Sequence, residues 1–146
     1  MNVATIAFSA AGLAYAAMAV LLGTGRRSDP LGHRLTLAAL LSAAWLFTVA
    51  YSSHRHQFSF YALYLTEAAR DWGWLMVLLQ LIRGYVEPRT ERWLRLAGTL
   101  APLCALTGLA LASLHWINPL HLLSRSGLLA SFTAMVLIEQ IYRNST

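Results

Sequence analysis

The sequence predicts an all-α protein, a polytopic transmembrane bundle of about five helices with its N-terminus outside and its C-terminus in the cytoplasm. Three observations predict it. Of 146 residues, 58% are hydrophobic and only 12% charged, with mean hydropathy +0.53, whereas a soluble domain carries about 25% charged residues. The apolar residues fall into runs close to the roughly 20 needed to cross a hydrocarbon core about 30 Å thick. The basic residues, eleven in number and all arginine, lie in short blocks between those runs, as they do in the loops of membrane proteins.

Taken in order, the spans are 3–23, 35–53, 60–82, 93–116 and 120–142, a single transmembrane domain over 1–146. The first has no charge at all, and the second centres on Ala43-Ala44-Trp45-Leu46-Phe47. The third contains Glu67, Arg70 and Asp71; the fourth contains Pro102, a candidate kink because proline removes a backbone hydrogen bond. The fifth has Arg125 near its start and Glu139 near its end. The first span is no cleavable leader, since its arginines follow the apolar stretch where a leader's precede it. Arg26, Arg27, Arg34, Arg83, Arg89, Arg92 and Arg95 flank one set of alternate loops, against Arg55 and Arg125 on the other. That asymmetry puts the N-terminus outside and makes the expected location a bacterial inner membrane.

The loops are short and marked by Gly23-Thr24-Gly25, Asp29-Pro30-Leu31-Gly32, Glu87-Pro88 and Asn118-Pro119, which are stop and turn signals. None is long enough to fold alone. The formal charge of +5 forms no clustered basic stripe, so nucleic acid is excluded as a partner; the bilayer is the expected one. Cys104 is the one cysteine, so no internal disulfide exists to reveal a redox compartment.

Gly98, Ala101, Ala105, Gly108 and Ala112 recur at three- and four-residue spacing on the fourth span. They form a smooth face where another helix backbone can approach closely, which is ordinary helix packing. The third span holds the most informative cluster. Glu67, Arg70 and Asp71 share one helical face at i, i+3 and i+4, too deep for simple snorkelling. A charge at the bilayer centre costs about 2.5–3.5 kcal/mol on insertion scales unless it is paired or wet. The spacing predicts Glu67 as the main partner of Arg70, leaving Asp71 free, with Arg125 the other arginine within reach. The cluster is either a structural ion-pair network or the lining of a cavity that binds a ligand or responds to protons.

At the outer mouth, His54, Arg55 and His56 form a basic knot beside Tyr61. Two histidines without a third ligand are a weak metal signal, and neither a metal nor a cofactor is expected; His115 and His121 lie on the other outer loop. Tyr51, Tyr61, Tyr64 and Trp116 suit an interfacial aromatic belt, while Trp72 and Trp74 are too deep for it and are expected to pack inside. No Walker loop, His-Glu-x-x-His pair or Gly-x-Ser-x-Gly elbow occurs, nor any inverted repeat of the transporter kind.

Two stretches carry a resemblance. Glu67-x-x-Arg70-Asp71-x-x-Trp74 and the ending Ile138-Glu139-Gln140-Ile141-Tyr142-Arg143-Asn144 resemble the N-terminal membrane region of the PEP-CTERM/exosortase-associated sensor histidine kinases of the PrsK type. The resemblance covers essentially the whole chain. It implies a membrane sensor whose GAF-like domain and kinase core follow this region, so that the chain is an N-terminal fragment and not itself a kinase. It further implies a homodimer within the full-length kinase, a response regulator reached through the cytoplasmic domains, and control of exopolysaccharide and exosortase-sorted proteins. The residues also allow a small helical subunit or scaffold of a larger membrane complex. An intramembrane enzyme using Glu67, Asp71 and the outer histidines has no motif behind it.

Overall fold

A computed structural model describes residues 3–25, 30–55, 60–83, 88–114, 135–136 and 138–139. Four helices are described, α1 (Val3–Gly25), α2 (Pro30–Arg55), α3 (Phe60–Ile82) and α4 (Pro88–Ser113). No strand occurs among the described residues. Among the described residues, two helices are long and apolar enough to cross a membrane, α1 with mean hydropathy 1.9 and α2 with 1.7. Met135, Val136, Ile138 and Glu139 are helical; the rest of the expected fifth span, Arg125 included, lies outside the described residues.

The expected spans and the helices coincide for α3. Elsewhere the helices are longer, for identifiable reasons. α2 and α4 both open on a proline, at Pro30 and Pro88, rather than at Leu35 and Trp93. Proline at the first helical position loses nothing, because that N–H has no intrahelical acceptor and its φ is already helical. What read as turn signals are helix starts, and Arg34, Arg89, Arg92 and Arg95 sit on helix ends rather than in loops. At the other end of α1 the stop signal acts two residues late. Gly25 ends the helix, and the Thr24 hydroxyl donates to the carbonyls of Val20 and Leu21 at 3.0 and 3.1 Å. α4 runs through Pro102 as one helix.

The chain divides into two compact units, Met1–Trp74 and Leu75–Thr146. In the first, α1 and α2 form an antiparallel hairpin. Gly12 of α1 faces the Phe47 ring, and Gly23 faces Thr36, so a step along α1 is matched by an equal step back along α2. α1 buries only Thr5, Gly12 and Ala19, a seven-residue repeat of small side chains. α2 buries more, including Ala38, Ala39, Ala43, Leu46 and Ala50, because it meets α1 on one side and the first half of α3 on another. Val3, Leu13, Val20 and Leu21 of α1 are exposed, as residues that face hydrocarbon would be.

In the second unit, Gly98 is buried against Met76 and Leu79; a Cβ there would come within 2.7 Å of Leu79 Cδ1 and 2.8 Å of Met76 Cε. Gly108 is also buried and Ala105 half-buried, whereas Leu96, Leu100, Leu103 and Leu106 are exposed. The small-residue face expected of the fourth span therefore turns inward at these three positions. The side chains of Ala101 and Ala112 lie outside the described residues.

Candidate functional site: a charged turn against a tryptophan face

Three residues of α3 meet three of α2 in the first unit, and each pair follows from helical spacing. Residues 70, 73 and 74 share one face of α3, and 38, 42 and 45 share one face of α2. The helices run antiparallel, so Gly73 meets Ala38, Trp74 meets Ser42, and Arg70 meets Trp45. Gly73 makes the approach possible. A Cβ at that position would lie 2.9 Å from Leu41 Cδ1 and 3.2 Å from the backbone Cα of Ala38.

Trp74 Nε1 donates to Ser42 Oγ at 3.0 Å, and Ser42 Oγ donates to the Ala38 carbonyl at 2.9 Å. Ser42 is 3% exposed, and its hydroxyl is used both as acceptor and as donor. Trp74 is half-buried, and its polar edge is satisfied.

The charged turn is arranged differently from the expectation. Arg70 is paired, but with Asp71 and not Glu67: Nε and Nη2 donate to Asp71 Oδ1 at 3.0 and 2.7 Å. Both side chains are 24% exposed. The guanidinium carbon lies 4.1 Å from the centroid of the Trp45 ring, within the reach of a cation–π contact. Helical spacing favoured Glu67, yet an arginine can fold back along its own helix to the next residue. Doing so turns its flat face toward α2, where the indole takes it. Glu67 makes no hydrogen bond or ion pair among the described residues, so it is Glu67, rather than Asp71, that is left without a bonded partner. Trp45 Nε1 is buried with no hydrogen-bond partner among the described residues.

No family model, curated protein or solved structure matches the chain. The geometry of the site therefore has to carry the functional reading.

At the end of α2 and the start of α3, His54 and Tyr61 are exposed, and Phe60 stacks on Tyr64 with centroids 5.8 Å apart. The Arg55 side chain and His56 lie outside the described residues. Among the described residues no three His, Cys, Asp or Glu side chains are grouped as a metal site. Trp45 and Ser42 are the residues that sequence reasoning missed. The available signal was Ser42-x-x-Trp45 on one span facing Arg70-x-x-x-Trp74 on the next, two polar pairs at matching helical spacing.

Proposed function

We propose that the chain is a membrane-embedded sensor, the input module of a two-component histidine kinase that relays a periplasmic or intramembrane signal to a cytoplasmic output domain. In this reading it has five spans in a bacterial inner membrane, N-terminus outside and C-terminus in the cytoplasm, and works as a homodimer within the full-length kinase. The response regulator is met only by the cytoplasmic domains. One observation supports the reading above the rest. A guanidinium at the α2–α3 contact is held by one acid and one indole face, with a second carboxylate, Glu67, one turn away and unbonded. Protonation or ligation of Glu67 changes the field on Arg70, and Arg70 is the group that ties α3 to the Trp45 ring. A local change of charge is thereby converted into a bias on how α3 lies against α2, the kind of two-state element a switch requires.

The test is a fusion of the chain to a histidine kinase core of known activity, assayed for autophosphorylation in vesicles. Glu67→Gln, Arg70→Lys and Trp45→Leu should each shift output by about fivefold or more, the lower range of a typical coupling energy. Output that ignores all three substitutions rejects the sensor. The alternative, a helical subunit of a larger complex, draws on the small buried share of α1; stoichiometric co-purification with a partner, together with silent fusions, would select it.

A further inference from the structure

Near the turn of the α1–α2 hairpin each helix carries a glycine within a turn of its end, Gly23 on α1 and Gly32 on α2. With no side chain at either position, the helices leave a groove of ≈ 220 Å³ between Leu22 on one side and Thr36, Leu37 and Leu40 on the other, with His33 also in its wall. Thr36 keeps this wall apolar. Its hydroxyl donates to the Gly32 carbonyl at 2.8 Å, and its methyl group faces Gly23, 3.6 Å from where a Cβ would stand.

The wall on α2 is ordered along the helix. His33, Thr36, Leu37 and Leu40 stand at i, i+3, i+4 and i+7, which is one helical face. At about 1.5 Å of rise per residue, His33 is roughly 4–5 Å from the start of α2 and Leu40 roughly 15 Å. His33, Leu37 and Leu40 are exposed, so a headgroup can reach the imidazole and a chain can reach the leucines. Polarity falls from the helix end inward, as it does in a phospholipid from phosphate to acyl chain. The sequence around the turn is basic as well: Arg26, Arg27 and Arg34 stand against Asp29 alone. Basic residues clustered at the end of a membrane helix attract anionic headgroups.

We infer that this groove is a binding site for an anionic phospholipid, with an acyl chain along Leu22, Leu37 and Leu40 and the phosphate accepting a hydrogen bond from the His33 imidazole. A free phosphate would leave the leucines uncovered, and a neutral lipid would leave the arginines unmatched. The inference rests on α1 and α2 lying in a bilayer, as the proposed function has them. It needs nothing from the charged turn of α3 or from the sensor role.

The experiment titrates the detergent-purified chain with phosphatidylglycerol, or with phosphatidylcholine of the same acyl chains, and reads bound lipid by native mass spectrometry. Wild type should hold phosphatidylglycerol about three- to tenfold more tightly, the effect of one or two basic residues near the headgroup. Gly23→Leu fills the groove and should weaken phosphatidylglycerol by about fivefold or more. Its Cβ meets only ordinary contact with Thr36 and leucine favours a helix over glycine, so its lipid-free melting temperature should not fall. Ala10→Leu adds bulk at an exposed position of α1 outside the groove and should bind like wild type. His33→Ala, which adds no bulk, tests the site by a second route: losing one hydrogen bond to the phosphate should weaken both lipids by about threefold. Equal affinities in wild type overturn the anionic site. Phosphatidylglycerol binding that survives both Gly23→Leu and His33→Ala overturns the groove. A wild-type chain that does not float with liposomes overturns the membrane reading instead, so the failures are distinguishable.

Discussion

α2 is held on two sides by different physics. Toward α1 it offers a ring and small side chains: Phe47 on Gly12 and Thr36 near Gly23. Toward α3 it offers an indole face for a cation and a hydroxyl for a second indole. Between two helices in lipid, apolar contact has little driving force beyond van der Waals fit, because lipid tails are as apolar as leucine. In the proposed membrane reading, the α1 contact at these positions therefore rests on shape alone, with no polar group to fix it. The α3 contact is fixed in register by groups that have few other places to go, and in the proposed sensor reading this makes it the better place to store a signal.

The largest break in that contrast comes from separating the ion pair. Asp71→Leu leaves Arg70 charged, since arginine does not deprotonate, and should destabilise the chain by about 2–3 kcal/mol in a denaturant titration in detergent, somewhat below the fully buried case because the pair is partly exposed. Arg70→Leu combined with Asp71→Leu should recover most of that loss. Additive costs would show that the two residues do not interact.

The next effect sets two glycines against each other. Gly73→Ala pushes a Cβ to 3.2 Å from the Ala38 backbone and should cost about 1–3 kcal/mol by overpacking. Gly12→Ala puts a Cβ 3.0 Å from the Phe47 ring, a side chain that is 40% exposed and has room to give way. It should be neutral within about 1 kcal/mol, with the helix propensity gained over glycine offsetting the crowding. Equal costs at the two glycines would erase the distinction between a contact held in register and one that rests on shape.

A smaller loss is expected from Trp74→Phe, which removes the donor to Ser42 and should cost about 0.5–1.5 kcal/mol; Ser42→Ala should cost a similar amount, and the double mutant little more than either. Smallest of all is Glu67→Gln. With no bonded partner to lose, it should leave the melting temperature nearly unchanged while altering output in the kinase fusion. A large stability loss there would place Glu67 in the structural network after all.

Much of the fold was legible because long apolar runs announce helices by length and hydropathy. α3 begins and ends at the residues its pattern predicts, despite three charges inside it. The starts of α2 and α4 were not legible, because Asp29-Pro30 and Glu87-Pro88 have the composition of both a turn and a helix start, and only the backbone decides between them. The site was half legible. Glu67, Arg70 and Asp71 stand out as charges in an apolar run, but helical spacing weighs i, i+3 above i, i+1, and so it chose the wrong acid. Trp45 escaped because an indole among alanines and leucines reads as core packing until a cation is found over its face.

The Arg70–Asp71 pair has a bearing on how the protein is made. Neighbours in sequence emerge from the ribosome together, so the counter-charge of Arg70 is present as soon as the arginine is. In the five-span reading proposed above, α3 reaches the translocon with its guanidinium already matched, without waiting for another part of the chain to supply an acid. The Trp45 face, synthesised earlier on α2, is then available for α3 to dock against as it leaves the channel. A pairing across helices would have made entry of the third helix depend on the assembly of the bundle; a pairing along the chain lets insertion come first and docking second.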